Sequence, residues 1–95
     1  MYILNLNYKK SLEEVNKHLS AHNEYLQTYY TKGNFICSGR KEPRSGGIIL
    51  AKFTSLNEAQ EAIKNDPFLQ NKIADYQITE FIPTKSSEAF HSLLE

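Results

Sequence analysis

The spacing of apolar residues changes from a period of two to a helical period near residue 10, and this change restricts the folds open to the chain. Residues 1–8 alternate between two faces, which is typical of a half-buried strand. The even-numbered residues form its more apolar face: Tyr2, Leu4, Leu6 and Tyr8. Residues 12–31 instead carry apolar side chains three, four or seven positions apart, and so predict one long amphipathic helix.

Short motifs mark both ends of that helix. Ser11 and Glu14 form a capping box, in which each side chain binds a backbone N–H group that the first turn leaves unpaired. Gly33 follows the last apolar residues, at the position where a left-handed C-terminal cap is expected. The helix is therefore predicted to begin after Ser11 and to end shortly before Gly33.

Two further strands are predicted in the middle of the chain. Residues 35–39 and 47–53 are apolar, and the polar loop between them contains proline and glycine. The segment 47–53 is almost continuously apolar, which indicates burial on both faces. This strand is therefore expected at the centre of the sheet.

A second helix and a last strand follow. Ser55 and Glu58 form another capping box for a helix that ends near Asn65. Asp66 precedes Pro67, a residue favoured at the first position of a helix, so a further turn begins there. Residues 73–82 then alternate again and predict a strand.

The element order strand, helix, strand, strand, helix, strand predicts a ferredoxin-like βαββαβ fold of the α+β class. In such a fold both helices cover one face of an antiparallel sheet. Residues 1–83 make up this domain, and residues 84–95 are a tail in which a short helix can start at Ser87. The other sheet face is expected to carry Ile or Leu from the third strand plus aromatic residues. Since that surface is too apolar for solvent, we expect a homodimer through the open sheet face.

Composition excludes several classes of function. The 95 residues contain 11 Lys+Arg and 11 Asp+Glu, so the net charge is zero, and a nucleic-acid partner bound through many phosphates is not expected. No run of 18 apolar residues predicts a membrane span, and no membrane partner is expected. The single cysteine fits a reducing compartment, so a cytoplasmic location is expected.

His22 is the most informative polar residue. It lies between Leu19 and Leu26 on the apolar stripe of the first helix, so its imidazole is expected to face the sheet. A buried imidazole needs hydrogen-bond partners. One interpretation is a core histidine satisfied by a backbone carbonyl. The other is a general acid/base in the cleft between helix and sheet.

Asp66 also has two interpretations. An Asp before Pro at the start of a helix is what capping alone predicts. Alternatively, its carboxylate orients and charges His22 as the second member of an acid/base pair, which requires a proximity that sequence spacing cannot show.

A basic loop is the other candidate binding element. Arg40, Lys41 and Arg44 stand beside Gly46 and Gly47, where guanidinium and backbone N–H groups can receive a carboxylate or phosphate. The alternative is a solvated loop.

Signals for metals, nucleotides and nucleophiles are weak. His18 and His22 are the only pair of Cys or His residues near a ligand spacing, so neither a metal nor a cofactor is expected. No Walker A loop, GxGxxG motif or nucleophile elbow is present. Cys37, in the middle of an apolar strand, is expected to act as a small apolar residue.

Taken together, several motifs resemble the YCII-related (YciI-like) family across about residues 1–83. They are His22 in the first helix, Gly33 after it, Ser38–Gly39 at the end of the second strand, and Asp66–Pro67–Phe68 before the last strand. The resemblance implies a subunit that pairs as a dimeric α/β barrel. It also implies an active site built on a histidine and an aspartate, here His22 and Asp66.

The same resemblance directs the expectation about function. Most members of the family are uncharacterised, and a related branch dehalogenates chloroaromatic compounds, which implies a small carboxylated ring as substrate. We expect a small-molecule enzyme in which Ser38, Gly39, Arg40 and Arg44 bind substrate. It would catalyse proton transfer, elimination or hydrolysis without a metal. The alternatives are a non-catalytic ligand-binding or stress-associated module that uses the same cleft, and a structural dimer.

Overall fold

The computed structural model describes residues 1–94, and its elements follow one another in the predicted order. The strands are β1 Tyr2–Tyr8, β2 Phe35–Arg40, β3 Gly46–Ala51 and β4 Ala74–Glu80. The helices are α1 Leu12–Lys17, α2 Leu19–Thr31, α3 Leu56–Ile63, α4 Pro67–Gln70 and α5 Glu88–His91, followed by a 3-10 turn, Ser92–Leu94. Every neighbouring pair of strands is antiparallel, in the order β2-β3-β1-β4. This confirms the ferredoxin-like α+β prediction, with β3 inside the sheet.

The serine halves of both capping boxes form as predicted, whereas the glutamate side chains have other partners, Lys17 Nζ for Glu14 and the Thr54 N–H for Glu58. The hydroxyls of Ser11 and Ser55 accept hydrogen bonds from the backbone N–H groups of Glu14 and Glu58. At the end of α2, Gly33 has φ +83°, and its N–H donates to the carbonyl of Tyr30. These local contacts set where α1 and α3 begin and where α2 ends.

The prediction of one helix over residues 12–31 is wrong in one respect. The chain forms two helices, α1 and α2, separated at His18 (φ −108°, ψ 4°). There the backbone N–H turns to the carbonyls of Val15 and Asn16 instead of continuing the i→i−4 series. The segment has no glycine or proline to mark the break, so the apolar spacing alone could not reveal it.

The helices α1 to α4 pack on one face of the sheet and bury two groups of side chains. The aromatic cluster lies where β1 begins and consists mainly of Tyr2, Tyr25, Tyr29, Phe35 and Phe53. A smaller group lies where β1 ends and contains Leu6, Val15, Phe68, Ile73 and Ala74. The second group borders the candidate site.

The open sheet face is aliphatic at its centre. Ile3 pairs with Leu50, and Asn5 pairs with Ile48, which is 38% exposed. The aromatic residues expected on this face lie on the other one, because the parity of β1 and β4 directs Tyr2 and Tyr76 towards the helices. Cys37 is exposed at the β2 position opposite Leu50, so it is not the buried apolar residue that was expected.

The tail after β4 carries apolar side chains with high exposure. Ile82 is 82% exposed, and α5 follows Ser87, the residue at which a helix was expected to start. Within residues 1–94, no helix is both long and apolar enough to cross a membrane.

Candidate functional site

His22 and Asp66 meet beneath α2. His22 lies in the first turns of that helix and is 8% exposed, and its Nδ1 is 2.8 Å from Oδ1 of Asp66. The two residues are 44 positions apart in sequence, so only the packing of α2 against the start of α4 brings them together. Of the two interpretations of His22, the structure therefore gives the imidazole a carboxylate as its partner, not a backbone carbonyl.

Asp66 is fully buried and its carboxylate is held by three donors. Oδ1 accepts from His22 Nδ1 and from the backbone N–H of Phe68, at 2.9 Å. Oδ2 accepts from the hydroxyl of Tyr76. Burying a carboxylate is costly unless such donors replace water. Asp66 thus caps α4 and also contacts the imidazole, so the two interpretations of this residue are compatible.

Phe68 fixes the plane of the imidazole. The two rings are stacked, with centroids 4.1 Å apart and planes within 3° of parallel. Because Nδ1 faces the Asp66 carboxyl group, and an ionised carboxylate only accepts hydrogen bonds, we expect Nδ1 to be the protonated nitrogen. Nε2 then points away from Asp66 and carries the lone pair whenever the ring is neutral.

His22 lines a cavity of about 190 Å³ between α2 and the ends of β1, β2 and β3. Apolar side chains from the helix and sheet form much of its wall: Leu6, Tyr8, Leu19, Leu26 and Ile49. The residues that supply polar atoms or bare backbone are Asn23, Ser38, Gly39, Arg40, Gly46 and Gly47. The cavity is therefore largely apolar, with polar groups on its helix side and at the end of β2.

Two glycines at the start of β3, Gly46 and Gly47, line this cavity. A Cβ at Gly46 would lie 1.8 Å from the carbonyl oxygen of Leu6, so no side chain fits there. At Gly47 a Cβ would lie 3.0 Å from the carbonyl oxygen of Gly39 and 3.9 Å from Cδ2 of Leu6. Gly47 sits opposite Leu6 on β1 and Arg40 on β2, in the part of the sheet that borders the cavity. A larger residue at Gly47 would reduce that space.

The sequence-predicted binding residues divide into two groups. Ser38, Gly39 and Arg40 line the cavity, and the Ser38 hydroxyl is 2.5 Å from that of Tyr30. Arg40 lies 3.4 Å from Glu42 in a solvent-exposed ion pair, a contact weak enough for the guanidinium to turn to a ligand. Arg44 is not among the lining residues, and its guanidinium donates to Oδ1 of Asn16 at 2.8 Å.

Tyr25 and Tyr76 complete the buried surroundings of Asp66. Burial raises the pKa of both hydroxyls above the usual tyrosine value, and the Asp66 charge raises each pKa further. Both groups therefore keep their protons at neutral pH. Sequence reasoning assigned neither the Tyr76 contact nor the Phe68 stacking, because buried aromatic residues on strands and short helices usually belong to the core.

Among residues 1–94, no group of three or more His, Cys, Asp or Glu side chains is placed to hold a metal ion.

Comparisons with known proteins agree with this architecture. The family model of the YCII-related domain matches residues 1–82, so the chain belongs to that family. The search of curated proteins gives no significant match. The chain resembles a solved structure, 5-chloro-2-hydroxyhydroquinone dehydrochlorinase from Burkholderia phenoliruptrix AC1100 in complex with 2,5-dihydroxybenzoquinone, with 18% identity and a TM-score of 0.71. That match covers 85% of this chain and 93% of the other, and at this identity it establishes the shared fold.

Proposed function

We propose that this member of the YCII-related family is a small-molecule enzyme in which His22 acts as general acid/base on a small polar or carboxylated metabolite. The observation that carries the proposal is the arrangement of one imidazole. Its Nδ1 is fixed on a buried carboxylate, while the residue lines a cavity of ligand size. Histidine is the commonest general acid/base because it exchanges protons near neutral pH.

In the proposed mechanism Nε2 takes a proton from the substrate while Nδ1–H stays hydrogen-bonded to Asp66. The positive charge that develops on the ring is compensated by the carboxylate 2.8 Å away. Stacking against Phe68 keeps the ring from turning, so Nε2 meets each substrate molecule in the same orientation. Proton removal from the substrate serves elimination or isomerisation, and removal from an attacking water serves hydrolysis; the imidazolium can return the proton to the product or leaving group.

Cavity size supports a substrate with a single ring or of similar bulk. An apolar cavity of about 150 Å³ binds benzene in a well-studied case, and the present cavity is about 190 Å³. The structural neighbour is named for a substituted single-ring compound and was solved with another, which fits a similar ligand here. Arg40 at the rim, with Ser38 and the Gly39 backbone, would receive a carboxylate or phenolate.

A homodimer through the open sheet face is part of this proposal. Ile3, Ile48 and Leu50 form an aliphatic strip on that face. A stable interface buries at least about 1,000 Å² in total. Light scattering should give twice the chain mass of 10.9 kDa, and Ile48→Asp should give a monomer. Ile82→Asp, at a tail residue that is 82% exposed, is the matched control and should remain dimeric.

The catalytic proposal is tested in two steps. Thermal shift with a panel of carboxylated and phenolic ring compounds selects ligands, because a ligand that binds only the native state raises its stability. Each ligand is then incubated with the enzyme in D₂O, and proton NMR follows deuterium uptake or loss of a leaving group. We expect turnover that His22→Gln abolishes while the variant still binds. Binding without turnover for every ligand would instead favour a ligand-binding module.

Arg40 and Arg44 provide a matched pair for the anion contact. Arg40→Ala should weaken a carboxylated ligand by about 1.5–3 kcal/mol, the value of a charged hydrogen bond. Arg44→Ala, whose guanidinium contacts Asn16, should leave the affinity unchanged. If Arg44→Ala weakened the ligand and Arg40→Ala did not, the anion would bind in the loop that contains Arg44 and not at the cavity.

A further inference from the structure

Tyr76 contacts the carboxylate of the proposed acid/base pair without lining the cavity. It lies on β4 opposite Leu6, and its ring packs against both buried groups of the core. Its hydroxyl donates to Oδ2 of Asp66, the carboxylate oxygen that His22 does not use. Three elements therefore hold one carboxylate: α2 through His22, α4 through the Phe68 N–H, and β4 through Tyr76.

The contact on Oδ2 has a consequence for Oδ1. A carboxylate side chain can turn about its last torsion, and without a donor on Oδ2 the buried Asp66 would gain by turning or by taking a proton. Either change would loosen the bond from His22 Nδ1–H. Once that hydrogen bond is loosened, the neutral imidazole can carry its proton on Nε2 instead of Nδ1. A protonated Nε2 cannot accept a proton from the substrate.

In the described part of the chain, Tyr76 is the side chain that donates to Oδ2 of Asp66. The neighbouring Tyr25 hydroxyl contacts that of Tyr76, and its own proton goes to the carbonyl of Ala62 at 3.0 Å. Because burial and the Asp66 charge raise the pKa of Tyr76, its hydroxyl stays protonated and remains a donor.

Given the acid/base role proposed for His22, we infer that Tyr76 is a positioning residue. Its hydroxyl holds the Asp66 carboxylate so that Oδ1 stays on His22 Nδ1 and Nε2 stays free to accept a proton. Tyr76 acts through Asp66 and is not among the residues that line the cavity.

The test compares two tyrosine hydroxyls that each donate to a carboxylate. Tyr76→Phe removes the donor to Asp66, and Tyr2→Phe removes the donor to Glu80, 3.1 Å away at the other end of the sheet. In ¹⁵N-labelled protein, NMR measures how fast the Nδ1–H proton of His22 exchanges with water. Tyr76→Phe should speed this exchange about tenfold or more, as expected for losing a hydrogen bond to a charged group. Tyr2→Phe should leave it within about twofold of the wild-type rate.

Equal exchange rates in the wild type and Tyr76→Phe would overturn the positioning role, even if Tyr76→Phe lowers stability as much as Tyr2→Phe. If Tyr76→Phe does not fold, the wild type decides. The hydroxyl proton of Tyr76 and the Nδ1 proton of His22 should then be protected by the same factor, each relative to the exchange rate of the free side chain, because one opening releases both. A hydroxyl proton that is much less protected would contradict the inference.

The two proposals fail separately. If no ligand is turned over but the exchange results hold, the enzymatic function fails and the positioning of His22 stands. If turnover requires His22 while Tyr76→Phe changes neither exchange nor rate, only the role of Tyr76 fails.

Discussion

The two ends of the core use the same strands but bury different chemistry. Where β1 begins, the rings of Tyr25, Tyr29, Phe35 and Phe53 lie 5.0–6.4 Å apart and fill the space between sheet and helices. Where β1 ends, two glycines line a cavity, and a histidine and an aspartate are buried beside it. One end provides close packing. The other gives up packing and buries polar groups, as functional sites commonly do.

The tyrosine–carboxylate pairs at the two ends show the same contrast. Tyr2 donates to Glu80, which is an exposed residue, so water competes for its carboxylate. Tyr76 donates to Asp66, which is fully buried, so removing either partner leaves an unsatisfied polar group. The same kind of contact, a tyrosine hydroxyl on a carboxylate, is therefore expected to contribute differently at the two ends.

The largest stability effect is expected at the aromatic end. Phe35 is 4% exposed and contacts four other aromatic rings. Phe35→Ala should lower the free energy of unfolding by about 3–5 kcal/mol, because it removes a large ring and leaves a cavity. Urea unfolding measures this. A loss below about 1 kcal/mol would mean that this end is loosely packed.

At the site end, Asp66→Ala should cost about 2–4 kcal/mol, since it removes a helix cap and leaves buried donors unpaired. Asp66→Asn keeps the capping oxygen but presents an NH₂ group to the Tyr76 hydroxyl. Asp66→Asn should lower the unfolding free energy less than Asp66→Ala does. It should lower it more than an Asp-to-Asn exchange at an ordinary helix N-cap. Equal unfolding free energies for Asp66→Asn and the wild type would contradict the Tyr76 contact.

Alkaline pH should destabilise the folded protein, because the buried tyrosines next to Asp66 resist ionisation. The pKa of Tyr25 and Tyr76 is raised in the folded state, so above about pH 10 the unfolded chain releases these protons first. Stability is therefore intact below pH 10 and falls above it, by about 1.4 kcal/mol per pH unit for each group. In urea unfolding at pH 9–12, the unfolding free energy of Tyr25→Phe should fall less steeply with pH than that of the wild type, because one of the two tyrosines no longer contributes. Parallel slopes for variant and wild type would contradict this.

The smallest stability effect is expected at Gly47. Gly47→Ala places a methyl group 3.0 Å from the carbonyl oxygen of Gly39, at a cost of about 1–2 kcal/mol for a small shift. The same methyl group narrows the cavity, so ligand affinity should fall more than stability does. Gly39→Ala, whose Cβ would meet no atom within 4 Å, is the matched control for the effect on stability alone, since Gly39 also lines the cavity. Unchanged binding in Gly47→Ala would place the ligand elsewhere.

Local signals in the sequence predicted most of the fold. The change of period gave the element order, and the Ser11, Ser55 and Gly33 motifs gave helix ends that the structure contains. The break at His18 has no local marker, so it could not be predicted. The error about aromatic residues on the open face had a different origin, because the parity of β1 already grouped Tyr2 with Leu4 and Leu6.

The site could be predicted only residue by residue. His22 stood out as a polar residue on an apolar stripe, and Asp66 as a cap before Pro67. Their contact spans 44 residues and depends on how α2 packs on α4, which no local pattern contains. The loop arginines show the same limit. Arg40 lines the cavity whereas Arg44 contacts Asn16, although the sequence places both in one polar loop.

The most direct test of the central claim is the tautomer of His22 in the wild-type protein. Long-range ¹H–¹⁵N correlation at a pH where the ring is neutral distinguishes a protonated Nδ1 from a protonated Nε2, and His18 and His91 serve as internal references. We expect the proton on Nδ1, facing Asp66, and an unprotonated Nε2 whose resonance shifts when a ring ligand from the thermal-shift panel is added. A proton on Nε2, with no response of that nitrogen to any bound ligand, would contradict a general-base role for His22.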